Sequence, residues 1–239
     1  MNLKNYLKLE ILREIKNIYL YLALGLSLVS GAGIIYSIHN LNGPFNDTHV
    51  SGLYASISVI AMSLFSVKVM CIDFHYNVSQ LILTTKINRI KFLFTKFLVS
   101  LLIGLAFSLG CIILLKVNSV LNNFKFNLID CINVICHYLL FMAFYSLLVL
   151  VLIFLTKNIA TLYVIIFILN MIIPGILQKI TTLSKVPDFI KTIVKESPFL
   201  TLPENLPDLS LSSNNVVVIV ISIIILFLIS YIILPKKDL

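Results

Sequence analysis

"CINVICHYLLFMAFYSLLVLVLIFL", residues 131–155, runs its whole length without one Asp, Glu, Lys or Arg. As a helix it would rise roughly 37 Å, more than the ~30 Å of hydrocarbon in a bilayer. No soluble fold solvates such a segment, and it is not isolated. The 239 residues are 59% hydrophobic and 12% charged, about half the charge of an ordinary soluble domain. The chain reads as an all-α, polytopic membrane protein.

Outward from that segment, a short turn at 156–158 leads to a second apolar run, and the pattern repeats along the chain. Six spans are expected, at about 18–38, 51–72, 92–115, 131–155, 159–177 and 216–234. The first follows a basic stretch that is too long and too helical for a signal peptide, and no small-residue cleavage site follows it. It is therefore expected to be retained. No internal repeat stands out, so 1–239 reads as one membrane domain.

The charges sort by side. With the N-terminus inside, twelve Lys and Arg face four Asp and Glu on the inner side, and six face six on the outer side. The net charge of +8 then lies on one face, as the positive-inside tendency predicts. Nucleic acid is not needed to explain the basicity. Both termini are expected in the cytoplasm.

Two polar regions carry structure of their own. In residues 1–17, Leu3, Leu7, Ile11 and Ile15 recur at helical spacing with Lys4, Lys8, Arg13, Glu14 and Lys16 off the stripe. This predicts an amphipathic helix in the membrane interface, although a plain extension of the first span is the alternative. Residues 178–215 hold four prolines, yet Phe189, Ile190, Ile193 and Val194 keep helical spacing. One or two short re-entrant helices are expected there. Pro174–Gly175 should kink or end the fifth span, because proline removes a backbone donor.

Chemistry at membrane depth is sparse. Lys68 lies close enough to the end of its span for its stem to reach the interface. Asn170, in mid-span, should seek an interhelical partner and, with Pro174, is the candidate lining of a translocation path. The four histidines form no H-E-x-x-H or comparable pair, and no G-x-S-x-G or G-x-x-x-x-G-K-[ST] occurs. No metal site, hydrolytic centre or ATP site is expected, so the chain is read as a non-enzyme. Cys71, Cys111, Cys131 and Cys136 lack C-x-x-C spacing; they read as small buried hydrophobes, with a Cys111–Cys131 bridge conceivable. Ser100, Gly104 and Ser108, and Ser27 and Gly31, have spacings that let helices approach closely, inside one chain by default and between copies as the lesser alternative.

The segment joining the second and third spans, "DFHYNVSQLILTTKINRIKFLFTK" (73–96), is longer than a topological loop needs and mixes apolar residues with bases. It resembles the corresponding loop of ABC-2 type permeases, the membrane subunits of ATP-binding-cassette exporters. In their pattern an acid after span two is followed by Leu, a small hydroxyl residue, Pro, a β-branched residue, Arg and, opening span three, Lys. Asp73, Leu83, Thr85, Ile87, Arg89 and Lys96 match those positions, while Lys86 stands for the proline and Thr95 for the small residue before the Lys. The resemblance extends to six spans, an N-terminal amphipathic helix and re-entrant outer helices.

It implies that 73–91 forms a coupling helix gripped by a separate ATPase subunit through Phe74, Tyr76, Val78, Leu81 and Ile82, with Arg89 at its end. Arg13, Lys16, Lys91 and Lys96 would anchor the interface against anionic headgroups. ATP and Mg²⁺ would belong to the partner subunit, and this chain would bind no cofactor. A second permease copy, identical or paralogous, would complete the membrane part in a bacterial plasma membrane. Spans almost free of charge suit an amphipathic peptide or lipid-like substrate, and the compact length resembles permeases for bacteriocins, lantibiotics or phenol-soluble modulins. The rival class is a membrane protein without a motor, a scaffold or immunity protein that binds a partner and moves nothing.

Overall fold

Long apolar runs punctuated by asparagine and proline become a helical bundle in the computed structural model, which describes residues 3–75, 86–156, 158–206 and 212–233. The helices are α1 (Leu3–Ile15), α2 (Ile18–Leu41), α3 (Asp47–His75), α4 (Lys86–Asn122), α5 (Leu128–Thr156), α6 (Ile159–Met171), α7 (Ile173–Thr182), α8 (Asp188–Glu196), α9 (Pro198–Asn205) and α10 (Ser213–Ile233). Six segments are long and apolar enough to cross a membrane: α2, α3, α4, α5, α6 with α7, and α10. These are the six spans expected.

Asparagine sets the junctions. The Asn17 side chain accepts from the Tyr19 amide at 3.3 Å and starts α2. Asn158 accepts from the Ala160 amide at 2.9 Å and starts α6. Each satisfies one of the amides a helix start leaves unpaired. At the far end of α2, Asn42 adopts a left-handed conformation with φ of 48°, which asparagine tolerates better than most residues. In the fifth span the helix breaks at Ile172 and resumes with Pro174 in the first turn of α7, where the missing donor costs least.

The spans are not equivalent. α3, α4 and α5 bury 67, 56 and 61% of their most apolar stretch, against 22, 22 and 11% for α2, α6–α7 and α10. The first three form the centre, and the others pack around it with one face turned out. Small residues make the centre tight. A Cβ on Gly104 would stand 2.9 Å from the Met142 Cγ and 3.0 Å from the Tyr138 carbonyl of α5. A Cβ on Gly31 would stand 2.6 Å from Leu114 of α4, and Ser27, Ser100 and Ser108 are buried. Both small-residue stripes are thus used within the chain. The Tyr54 hydroxyl donates to the Phe107 carbonyl at 2.7 Å, tying α3 to α4.

All four cysteines are free thiols, so no Cys111–Cys131 bridge forms. Asn170 does not reach across to another helix: its side-chain amide donates to the Ile166 carbonyl one turn back, at 3.0 Å. Both Asn170 and Pro174 are buried. In the region 178–215, α8 and α9 are the two short helices. Leu200, Thr201 and Leu202 of α9 are buried, whereas α8 buries nothing and exposes Phe189, Ile190 and Ile193.

Candidate functional site

The start of α2, the end of α3, the start of α4, the end of α5, the start of α6 and the end of α10 share one end of the bundle, and there α1 packs across α4. This is the basic end, and among its described residues the acids are only Glu10, Glu14 and Asp73. All three enter one cluster with Arg13, Lys68 and Lys96. Lys96 Nζ lies 2.5 Å from Asp73 Oδ2 and 2.8 Å from Glu10 Oε2. Arg13 contacts Glu10 at 2.5 Å, Asp73 at 3.2 Å and Glu14 at 3.6 Å. Lys68 closes the set on Glu14 at 3.3 Å. Three acids meet three bases, so the cluster is neutral as a whole.

Burial makes this pairing obligatory. The Lys96 side chain is 0% exposed and those of Glu10, Glu14 and Asp73 are 5–9% exposed. A charge so far from water is tolerated only with a close counter-charge and hydrogen bonds. The neutral groups supply the latter: the Tyr6 hydroxyl donates to Asp73 at 3.0 Å and the Asn17 amide to Glu14 at 3.1 Å. Aromatic rings cover the assembly. Phe92 stacks near Tyr6 and meets Phe74 edge-on, Phe74 meets Phe154, and Lys96 Nζ lies 5.4 Å from the Phe92 ring centre.

On α1 the protonation states follow. Burial alone would lower the pKa of Arg13, but the carboxylates of Glu10, Asp73 and Glu14 outweigh it and hold the guanidinium above its ordinary value. Burial, and then the charges of Glu10 and Asp73, push the Tyr6 phenol well up. Arg13 therefore stays cationic and Tyr6 keeps the proton it donates.

These positions revise several expectations. Lys96 is no headgroup anchor, because it is wholly buried between two carboxylates. Lys68 turns to Glu14, and Arg13 is spent on three carboxylates. Phe74 is partly buried, with its ring edge-on to Phe92 and Phe154. Lys16 is exposed at the α1–α2 junction, and Arg89 and Lys91 are half-buried near the start of α4, each with interactions of its own. Tyr76, Val78, Leu81 and Ile82 lie outside the described residues. The apolar stripe of α1 holds at Leu7 and Ile11, which pack on the core, but Ile15 is exposed and the inward side also carries Glu10 and Glu14.

Tyr6, Glu10 and Glu14 are the members that sequence reasoning left out. Their signal was available: the basic end is poor in acids, and two of the few sit one helical turn apart, flanking Arg13. Beside the cluster, a groove of about 380 Å³ opens between α2, α3 and α6, with Lys68 in its wall. Among the described residues no group of three His, Cys, Asp or Glu side chains is arranged to hold a metal ion. The cluster joins α1 to the two helices that flank 76–85, α3 and α4. No protein-family model matches the chain, and no curated protein matches it either.

Proposed function

We propose that the chain is the permease subunit of an ATP-driven exporter. Two such chains, identical or paralogous, would work with two ATP-binding subunits to move an amphipathic peptide or lipid-like molecule out of a bacterial cell or its membrane. The observation that carries this reading is the 2.5 Å contact between Asp73 and Lys96. These are the acid and the lysine of the permease-like pattern, standing on either side of residues 76–85, and they also hold α1 through Arg13 and Glu10. A force applied to the segment between them reaches three helices at once. Such a frame suits a coupling element driven by a partner's ATP cycle and has no evident use in a passive loop.

In this reading α1 lies in the cytoplasmic interface with both termini inside, and α8 rests its exposed Phe189 and Ile193 in the outer leaflet. Asn170 and Pro174 border the path by which substrate passes, and ATP and Mg²⁺ stay on the partner. The test is a pull-down of the detergent-solubilised protein from its native membrane, beside a Leu81→Glu/Ile82→Glu variant. An ATP-binding subunit recovered with the wild type and lost with the variant is the expected result. Recovery of no ATPase with either form overturns the exporter and leaves the motorless binding protein in its place.

A further inference from the structure

The groove between α2, α3 and α6 is built along a gradient. Tyr19 lies in the first turn of α2, Tyr163 in the second turn of α6, and Lys68 two turns before the end of α3. Its polar wall residues therefore share the basic end, and Leu26, Ile57, Ile60 and others carry the wall toward mid-membrane. From Lys68 back to Ile57 the groove follows α3 for about 16 Å, close to half of the ~30 Å hydrocarbon thickness. That is the depth of one leaflet. Its volume of about 380 Å³ and its apolar wall with a few polar groups at one end are those of a ligand site for a small amphiphile.

The head of that amphiphile is set by Lys68. A lysine ammonium has three donors, and the structure gives one of them a carboxylate acceptor, Glu14 at 3.3 Å. The side chain is 26% exposed and stands in the groove wall, with Nζ 5.8 Å from the Phe65 ring centre. Lys16, exposed just before α2, is a further cation at the same end of the bundle but not in the groove wall, and bases outnumber acids at that end in the sequence. We infer that the groove holds one acyl chain of an anionic phospholipid from the leaflet at the basic end, with its phosphate on Lys68. The phosphate then shares Lys68 with Glu14, which places a lipid in contact with the cluster that fixes α1. The inference is independent of the exporter reading: it concerns a lipid site that a permease or a motorless protein would carry alike.

The chain contains no tryptophan, so a single introduced indole reports without background. Leu64→Trp puts it on the groove wall, and Ile224→Trp puts a control on the exposed face of α10. Each full-length variant is reconstituted in phosphatidylcholine vesicles doped with brominated phosphatidylglycerol or brominated phosphatidylcholine, and quenching is followed against mole fraction. At Leu64→Trp the anionic lipid should be preferred about fivefold, the size of one lysine's attraction to an anionic surface. Ile224→Trp should respond equally to both lipids. Adding Lys68→Arg should keep the preference and adding Lys68→Gln should remove it. Equal quenching by the two lipids at Leu64→Trp overturns the site outright, whether or not the Lys68 variants fold. An anionic preference that survives in a folded Lys68→Gln protein overturns the role given to Lys68.

Discussion

The two ends of the bundle treat charge in opposite ways. At the basic end Lys96, Arg13 and Lys68 reach carboxylates 86, 60 and 54 residues away in the chain, and four of the six charged residues are buried. At the opposite end, in the short helix α8, Lys191 meets Asp188 three residues away at 3.3 Å, with the Asp188 side chain 99% exposed. A long-range buried pair fixes elements that would otherwise move independently, and it leaves an expensive orphan when one partner goes. An exposed pair within one turn fixes almost nothing. The basic end is thus held as a unit by charge, whereas the other end joins its elements through neutral contacts such as His39 with Asn122 at 3.2 Å and Phe199 of α9 with Phe144 of α5 at 5.3 Å between ring centres.

The sharpest way to break this contrast is Lys96→Met. Methionine fills similar space but leaves Glu10 and Asp73 facing each other with only Arg13 between them. A loss of about 3–5 kcal/mol is expected, measured as the unfolding midpoint in denaturant-titrated micelles. A midpoint equal to that of the wild type would mean that the cluster holds nothing. Tyr6→Phe comes next. It removes only the hydroxyl that donates to Asp73 at 3.0 Å, a bond to a charged acceptor worth about 1.5–3 kcal/mol, and the folded protein should survive it.

Gly104→Ala tests the centre against the periphery instead. The added methyl would stand 3.0 Å from the Tyr138 carbonyl, a backbone atom, and 2.9 Å from Met142 Cγ. Helix α4 must then move off α5, at a cost of about 1–3 kcal/mol. Gly33→Ala in α2 meets nothing within 4 Å and should be neutral or slightly stabilising, since alanine is the better helix former. Equal effects at the two glycines would erase the difference between central and peripheral spans.

The spans were legible in the sequence because hydrocarbon selects composition directly. The segment read as 131–155 is the helix Leu128–Thr156. The third span was read to residue 115, yet α4 continues to Asn122, because its last turns carry Lys116 and Asn118 and are helical without being apolar throughout. Hydropathy marks the oil-soluble part of a helix and not its end. The cluster was half legible. The permease-like pattern singled out Asp73 and Lys96, but a count of bases near a span end favours headgroups as partners, since it does not see acids distant along the chain. Glu10 was hidden for the same reason: the apolar stripe of α1 marks Leu7 and Ile11 as inward, but only tertiary contact shows that Glu10 and Glu14 turn in beside them. The rings of α4 and α5 that Phe74 meets, Phe92 and Phe154, were likewise out of view in the loop pattern.

The smallest expected effect lies at the far end, and it is informative because it is small. Lys191→Ala removes the pair with Asp188 from a nine-residue helix that buries none of its residues. In water such a pair contributes about 0–1 kcal/mol, so the midpoint that Lys96→Met shifts should stay where it is. If α8 rests its Phe189 and Ile193 in lipid, the same substitution also leaves the helix in place, because apolar contact with the bilayer holds it and not the ion pair. A large loss from Lys191→Ala would therefore mean that α8 is tied by charge after all, and the two ends would differ in degree of burial and no longer in kind.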